Sequence, residues 1–204
     1  MAYSEFSIDD VKLRFKLRVE EKVGHFAAVS PVSVSEFLTQ MLDENIPLAV
    51  AISTEKVRSE LIVAPVLLEA RRQVRPLVGF FSGVEFNVDP SRGLNGTCDF
   101  LISLSPLQLT IEVPVIAVVE AKNDNIKNGL GQCMAEMVAV REFNKQRGSE
   151  LLQVYGVVTT GSLWKFMSLK NDVITVDPPE YPITDLGRVV GILASMMKAE
   201  PRGD

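Results

Sequence analysis

Residues 115–122 read Val-Ile-Ala-Val-Val-Glu-Ala-Lys, an apolar run that passes without a turn into a carboxylate, an alanine and an ammonium. Such an unbroken run suits a central strand covered on both faces. Side chains alternate across a strand, so Glu120 and Lys122 are expected on one face, the face of Ile116 and Val118. A core strand thus ends by directing two opposite charges at one place.

Downstream, NGLGQCMAEMVAVREFNKQ (128–146) reads as a helix and 151–160 as another apolar strand. Strand, helix, strand over this length is a crossover, which makes the two strands parallel and adjacent or nearly so. LWKFMSLK (163–170) and DVITVD (172–177) read as a hairpin across Asn171-Asp172 at the sheet edge. The last helix, DLGRVVGILASMMKAE (185–200), carries a stripe of Leu186, Val189, Val190, Leu193 and Met197, suited to the core or to a dimer contact. Upstream, VEFNVD (84–89) and TCDFLISLS (97–105) read as strands joined by the turn-rich PSRGLNG. The alternation of LQLTIEV (107–113) predicts a further strand with one wet face.

Helices are expected before these strands. Residues 11–19 alternate apolar and basic like a strand, but Ser7 followed by Asp10 is a capping-box start, with acids leading and bases trailing, and a helix over 7–16 is the reading adopted. SVSEFLTQMLDEN (33–45) is a second helix. A third spans 53–74, capped by Ser53, kinked by Pro65 and apolar along Val57, Leu61, Ala64 and Leu68, with Glu60 bordering that face. The whole is an α/β domain on a mixed sheet, one domain over 1–204, with extra N- and C-terminal helices.

Composition narrows the chemistry. With 47% hydrophobic and 23% charged residues, the 204-residue chain is an ordinary globular protein able to bury a core. No apolar run approaches the ~20 residues of a membrane helix, and MAYSEFSIDD has neither the basic nor the apolar region of a signal peptide, so a cytoplasmic protein with no membrane partner is expected. Cys98 and Cys133 make neither a disulfide framework nor a zinc cluster and read as small core residues. The single histidine, His25, stands in EKVGHFAAVSPVS without a triad pattern, which removes serine-histidine and zinc hydrolysis and leaves carboxylates and lysine. A net charge of −5 argues against a protein that simply coats nucleic acid.

Asp99 interrupts an apolar strand 21 residues before Glu120, and aspartate is depleted in strands. If the strands at 97–105 and 115–122 pair, Asp99 shares a sheet end with Glu120 and Lys122. Two converging carboxylates form a hard oxygen site suited to Mg²⁺. A neighbouring lysine can hold water or neutralise developing phosphate charge, and Gln132 on the following helix is placed to reach the same site.

Asp99, the triplet Glu120-Ala121-Lys122, the upstream helical Glu60 and the downstream helical Gln132 together resemble the PD-(D/E)XK nuclease superfamily, the restriction-endonuclease-like fold. Its core of helix, three-stranded meander, helix and strand is the order read over 53–160, about the middle half of the chain. The resemblance implies a Mg²⁺-dependent nuclease, with Mn²⁺ as a substitute, acting on DNA or alternatively RNA. By it Asp99 and Glu120 bind metal, Lys122 is the catalytic lysine, Glu60 is an accessory metal or supporting acid, and Gln132 orients the lysine or a phosphate. VVTTGSLWKF also resembles the strand, glycine turn and aromatic strand that follow the core in some members. Cys98 stands where the family name expects proline.

Each motif residue has a plainer reading. Glu120 and Lys122 could be hydrated charges at a strand end, Glu60 a helix-flank acid paired with Lys56, and Gln132 a surface residue. Arg71, Arg72 and Arg75 are a candidate phosphate patch or a solvated helix end. Asn95-Gly96-Thr97 and the terminal Arg202-Gly203-Asp204 read as chance tripeptides, and NGLGQ as a helix start. The rival function is a non-catalytic, homo-oligomeric assembly module on the same fold, with the last helix in a homodimer.

Overall fold

A computed structural model describes residues 2–149, 151 and 153–198. The helices are α1 (Ile8–Phe15), α2 (Glu36–Ile52), α3 (Glu55–Arg58), α4 (Ala64–Arg72), α5 (Ile126–Gln146) and α6 (Leu186–Met196). The strands are β1 (Arg18–Glu21), β2 (Gly79–Glu85), β3 (Thr97–Ser103), β4 (Val115–Ala121), β5 (Gln153–Thr159), β6 (Leu163–Lys170), β7 (Val173–Val176) and β8 (Tyr181–Pro182). Among the described residues these form one mixed sheet in the order β1-β7-β6-β5-β4-β3-β2, with β8 against β6. The β2–β3–β4 meander is antiparallel, and α5 returns the chain so that β5 runs parallel to β4.

The stretch 115–121 is the fully buried strand β4. One face of the sheet packs on α5 and α1, in a core that holds Val118 with Cys133, Met134 and Met137; the other packs on α4 and α6, in a core that holds Val119 with Val66, Leu67 and Leu193. The expected face partner Ile116 is a correction. Ile102 pairs with Ala117 but Ser103 with Val115, so Ile116 is an extra, bulged residue and joins the α4–α6 core. Val118 remains on the α5 side, the side to which alternation assigns Glu120.

Other expectations shift for identifiable reasons. The strand expected at 84–89 lies earlier, at Gly79–Glu85, where two glycines and Ser82 hide its pattern and Gly83 takes φ +61°. Residues 107–113 are no strand; Gln108 Oε1 instead accepts the Phe80 N–H of the edge strand β2 at 3.2 Å. The β6–β7 hairpin turns at Asn171 as expected but is not at the edge, since β1 pairs parallel with β7. Helix α2 does not stop at residue 45 but runs through Pro47 to Ile52.

The helix expected over 53–74 begins one residue later. Ser53 ends α2 in the left-handed conformation, and Thr54 Oγ1 accepts the Val57 N–H as the true cap. Between α3 and α4 lies a π turn, Ser59–Val63, which rotates the buried face to Ile62, Val63, Val66, Leu67 and Ala70. The expected face is half-buried at Val57, Leu61 and Ala64 and exposed at Leu68. Pro65 has no N–H for the Leu61 carbonyl, and Asn45 Nδ2 donates to that oxygen instead, at 2.9 Å.

At the N-terminus, Ser7 and Asp10 close a capping box on α1, and Lys16 ends it in the left-handed conformation before β1. In the last helix Val189, Val190, Leu193 and Met197 are buried in the chain's own core, and Leu186 is half-buried. No helix among the described residues is long and apolar enough to cross a membrane.

Candidate active site

Asp99 and Glu120 lie one residue beyond Phe100 and Val119, the last paired residues of β3 and β4. In place of a further backbone rung, Asp99 Oδ2 accepts the Ala121 N–H at 2.8 Å. Glu120 is buried, its Oε1 2.6 Å from Lys122 Nζ, while Oε2 has no hydrogen-bond partner among the described residues. The Lys122 N–H donates to Thr159 O at 2.8 Å, tying the end of the motif strand to β5. Its ammonium lies 3.4 Å from Gln132 Oε1 and 3.9 Å from Glu55 Oε2.

The glycines of NGLGQ let α5 approach. A Cβ on Gly129 would stand 2.8 Å from Val158 Cγ1 and 3.0 Å from Lys122 Cγ, so a side chain there would push the helix off the lysine stem. Gly131 similarly leaves room for the Phe6 carbonyl.

Burial sets the electrostatics. It pushes the Glu120 carboxyl up to about 8, and the neighbouring Asp99 charge adds to this while Lys122 opposes it. Asp99 is raised as well, by burial first, with the Ala121 N–H and Lys122 pulling the other way. For Lys122, burial disfavours the ammonium but Glu120, Glu55 and Asp99 outweigh it, so its pKa rises and it stays charged.

A cleft of about 250 Å³ opens beside Asp99, lined also by Glu55, Lys56, Ser59, Glu60, Ser82 and Gly83. The sequence-derived residues therefore divide. Asp99, Glu120, Lys122 and Gln132 come together directly. Glu60 is on the cleft wall but 58% exposed, with its Oε1 2.8 Å from Lys56 Nζ. The helix acid nearest the lysine is Glu55, which lies inside the helix expected over 53–74 but belongs to no motif spacing. Glu136 was also missed: it is fully buried one turn past Gln132, and its carboxylate amid CMAEMVAV was the available signal.

Among the described residues, no group of three or more His, Cys, Asp or Glu side chains is arranged to hold a metal ion. The donor set is instead two carboxylates, the number Mg²⁺ takes when water completes its shell. The buried, unpartnered Glu120 Oε2 is an oxygen that such a cation would satisfy.

The arginines are not a free phosphate patch. Arg71 Nε donates to Val78 O at 2.7 Å, Arg75 Nη1 to Val74 O at 2.8 Å, and Arg72 pairs with Glu69 at 3.3 Å. They gather near Gly79, which pairs with Ser103 at the far end of β3 from Asp99. His25 Nε2 lies 2.8 Å from Ser168 Oγ, away from the motif residues, and burial lowers its pKa. Cys98 and Cys133 are buried free thiols, both pushed up by burial. The terminal tripeptide lies outside the described residues. Compared with protein-family models, with curated proteins and with solved structures, the chain matches none.

Proposed function

We propose that the chain is a Mg²⁺-dependent phosphodiesterase that hydrolyses DNA, with RNA as the alternative substrate, built on a restriction-endonuclease-like core. The observation that carries this reading is the meeting of Asp99, buried Glu120 and Lys122 at one strand end beside a cleft. The order of β2–β3–β4 meander, crossover α5 and parallel β5 supports it.

Asp99, held by the Ala121 N–H, and Glu120, through its unpartnered oxygen, would hold the cation. Once bound there, it supplies Lewis-acid polarisation of the phosphate and acidifies water. Lys122, kept cationic by its carboxylate neighbours, would stabilise the negative charge that develops on the phosphoryl oxygens. Gln132 accepts from Lys122, and Glu55 and Glu60 acidify the cleft wall.

The test is calorimetric titration of Mg²⁺ and Mn²⁺ into wild type, Asp99→Ala and Asp99→Asn, with DNA cleavage assayed on the same samples. Asn keeps an acceptor for the Ala121 N–H, so it separates loss of charge from loss of that bond. Binding and nicking present in wild type and absent in both variants are expected. No binding and no cleavage in wild type would overturn the reading.

One observation favours the rival assembly module: α2 exposes Phe37, Leu48, Val50 and Ile52. Light scattering on the same samples would then show a homo-oligomer.

A further inference from the structure

Glu136 takes no part in the steps above, yet it is a carboxyl group with no exposed surface, on the sheet-facing side of α5. Its Oε1 accepts the Gln132 Nε2–H at 3.1 Å, and its Oε2 has no partner among the described residues. Gln132 in turn lies with Oε1 3.4 Å from Lys122 Nζ, itself 2.6 Å from Glu120 Oε1. An amide has an acceptor end and a donor end, whereas an ammonium only donates. Gln132 therefore serves Lys122 only with its Nε2 turned away, and Glu136 is the acceptor waiting on that side. With the amide reversed, its N–H groups would face the ammonium, and the acceptor that Lys122 needs would be turned away towards Glu136.

We propose that Glu136 is a positioning residue: it fixes the amide orientation of Gln132 and, through it, the place of the Lys122 ammonium beside Glu120. The consequence for catalysis rests on the nuclease reading above; the orientation itself does not. Burial and the charge of Glu120 push the Glu136 carboxyl well above the usual carboxylate range.

The test compares wild type with Glu136→Gln, Glu136→Leu, Gln132→Ala and the double variant Gln132→Ala/Glu136→Leu. In protein labelled with ¹⁵N-glutamine, the Gln132 side-chain amide pair is assigned by its loss in Gln132→Ala. Glu136→Leu is expected to move that pair and speed its hydrogen exchange, while Glu136→Gln, whose carbonyl can still accept, leaves it near its wild-type position. Single-turnover DNA cleavage is expected to fall roughly 10- to 100-fold in Glu136→Leu, to be rescued in Glu136→Gln, and to fall no further in the double variant than in Gln132→Ala.

An unmoved Gln132 amide in a folded Glu136→Leu protein overturns the positioning role. So does a cleavage loss that simply multiplies in the double variant. If wild type cleaves nothing but the amide responds as expected, the nuclease reading fails and the positioning role stands.

Discussion

Glu120 accepts from Lys122 with one oxygen and, among the described residues, from nothing with the other, so its charge is costly to bury. Its carboxyl sits at about 8 in the folded chain against 4.5 for the free group, so the folded state binds its proton more tightly than the unfolded state does. Stability from this group is therefore full below the lower value and is lost as pH rises towards the higher one. The loss is on the order of a few kcal/mol, since each pKa unit corresponds to about 1.4 kcal/mol. Glu120→Gln is neutral throughout and should show a flatter melting temperature between pH 5 and 8.5. On the nuclease reading, added Mg²⁺ should flatten the wild-type curve in the same way. Thermal melts across that range decide it: parallel slopes for wild type and Glu120→Gln would rule out this carboxyl as the cause.

At the scale of elements, the helical segment from Glu55 to Arg72 places the acidic wall of the cleft. Thr54 starts it, and the π turn Ser59–Val63 directs Glu60 to the cleft while turning Ile62 and Val63 inward. The turn stands immediately before Pro65, and its exposed carbonyl problem is solved by Asn45 from α2. Asn45→Ala leaves Leu61 O without that donor and should cost about 1 kcal/mol, read as a lower urea midpoint with unchanged denaturant dependence. An unaltered midpoint would mean that water replaces the amide at no cost. The capping box on α1 and the positions of β4 and α5 were legible in the sequence, because caps and hydrophobic periods are local. The start of α3 was not: Ser53 and Thr54 are both acceptable caps, and only the end of α2 assigns Ser53 to the preceding helix.

For the molecule as a whole, charge governs how a polyanion could approach. The sequence carries a net charge of −5, and at the site Glu55, Glu60, Asp99 and Glu120 outnumber Lys56 and Lys122. The arginines that could have offset this are engaged elsewhere, near the opposite end of β3. On the nuclease reading, DNA binding therefore needs the divalent cation, since carboxylates and phosphates otherwise repel. Fluorescence anisotropy with a labelled duplex at about 0.1 M salt, where the Debye length is near 10 Å, should show binding with Ca²⁺ or Mg²⁺ and at least tenfold weaker binding in EDTA. Equal affinity in EDTA would place the DNA-binding surface away from these carboxylates.

By itself the sequence determined the α/β class, the buried strand ending in Glu120 and Lys122, the crossover to a parallel neighbour, and the convergence of Asp99 and Gln132 on that strand end. The first three follow from periods of two and 3.6 residues, which repeat along the chain and need no distant partner, whereas the convergence rests on the pairing of β3 with β4 and on the resemblance of the motif. Tertiary structure decided that Ile116 bulges to the other face, that Glu55 rather than Glu60 approaches the lysine, that Glu136 backs Gln132, and that Arg71 and Arg75 bond backbone carbonyls while Arg72 pairs with Glu69. Each of these depends on register or rotation. One extra residue in a strand or one π turn in a helix re-aims side chains, and only packing between elements distant in sequence selects which arrangement holds.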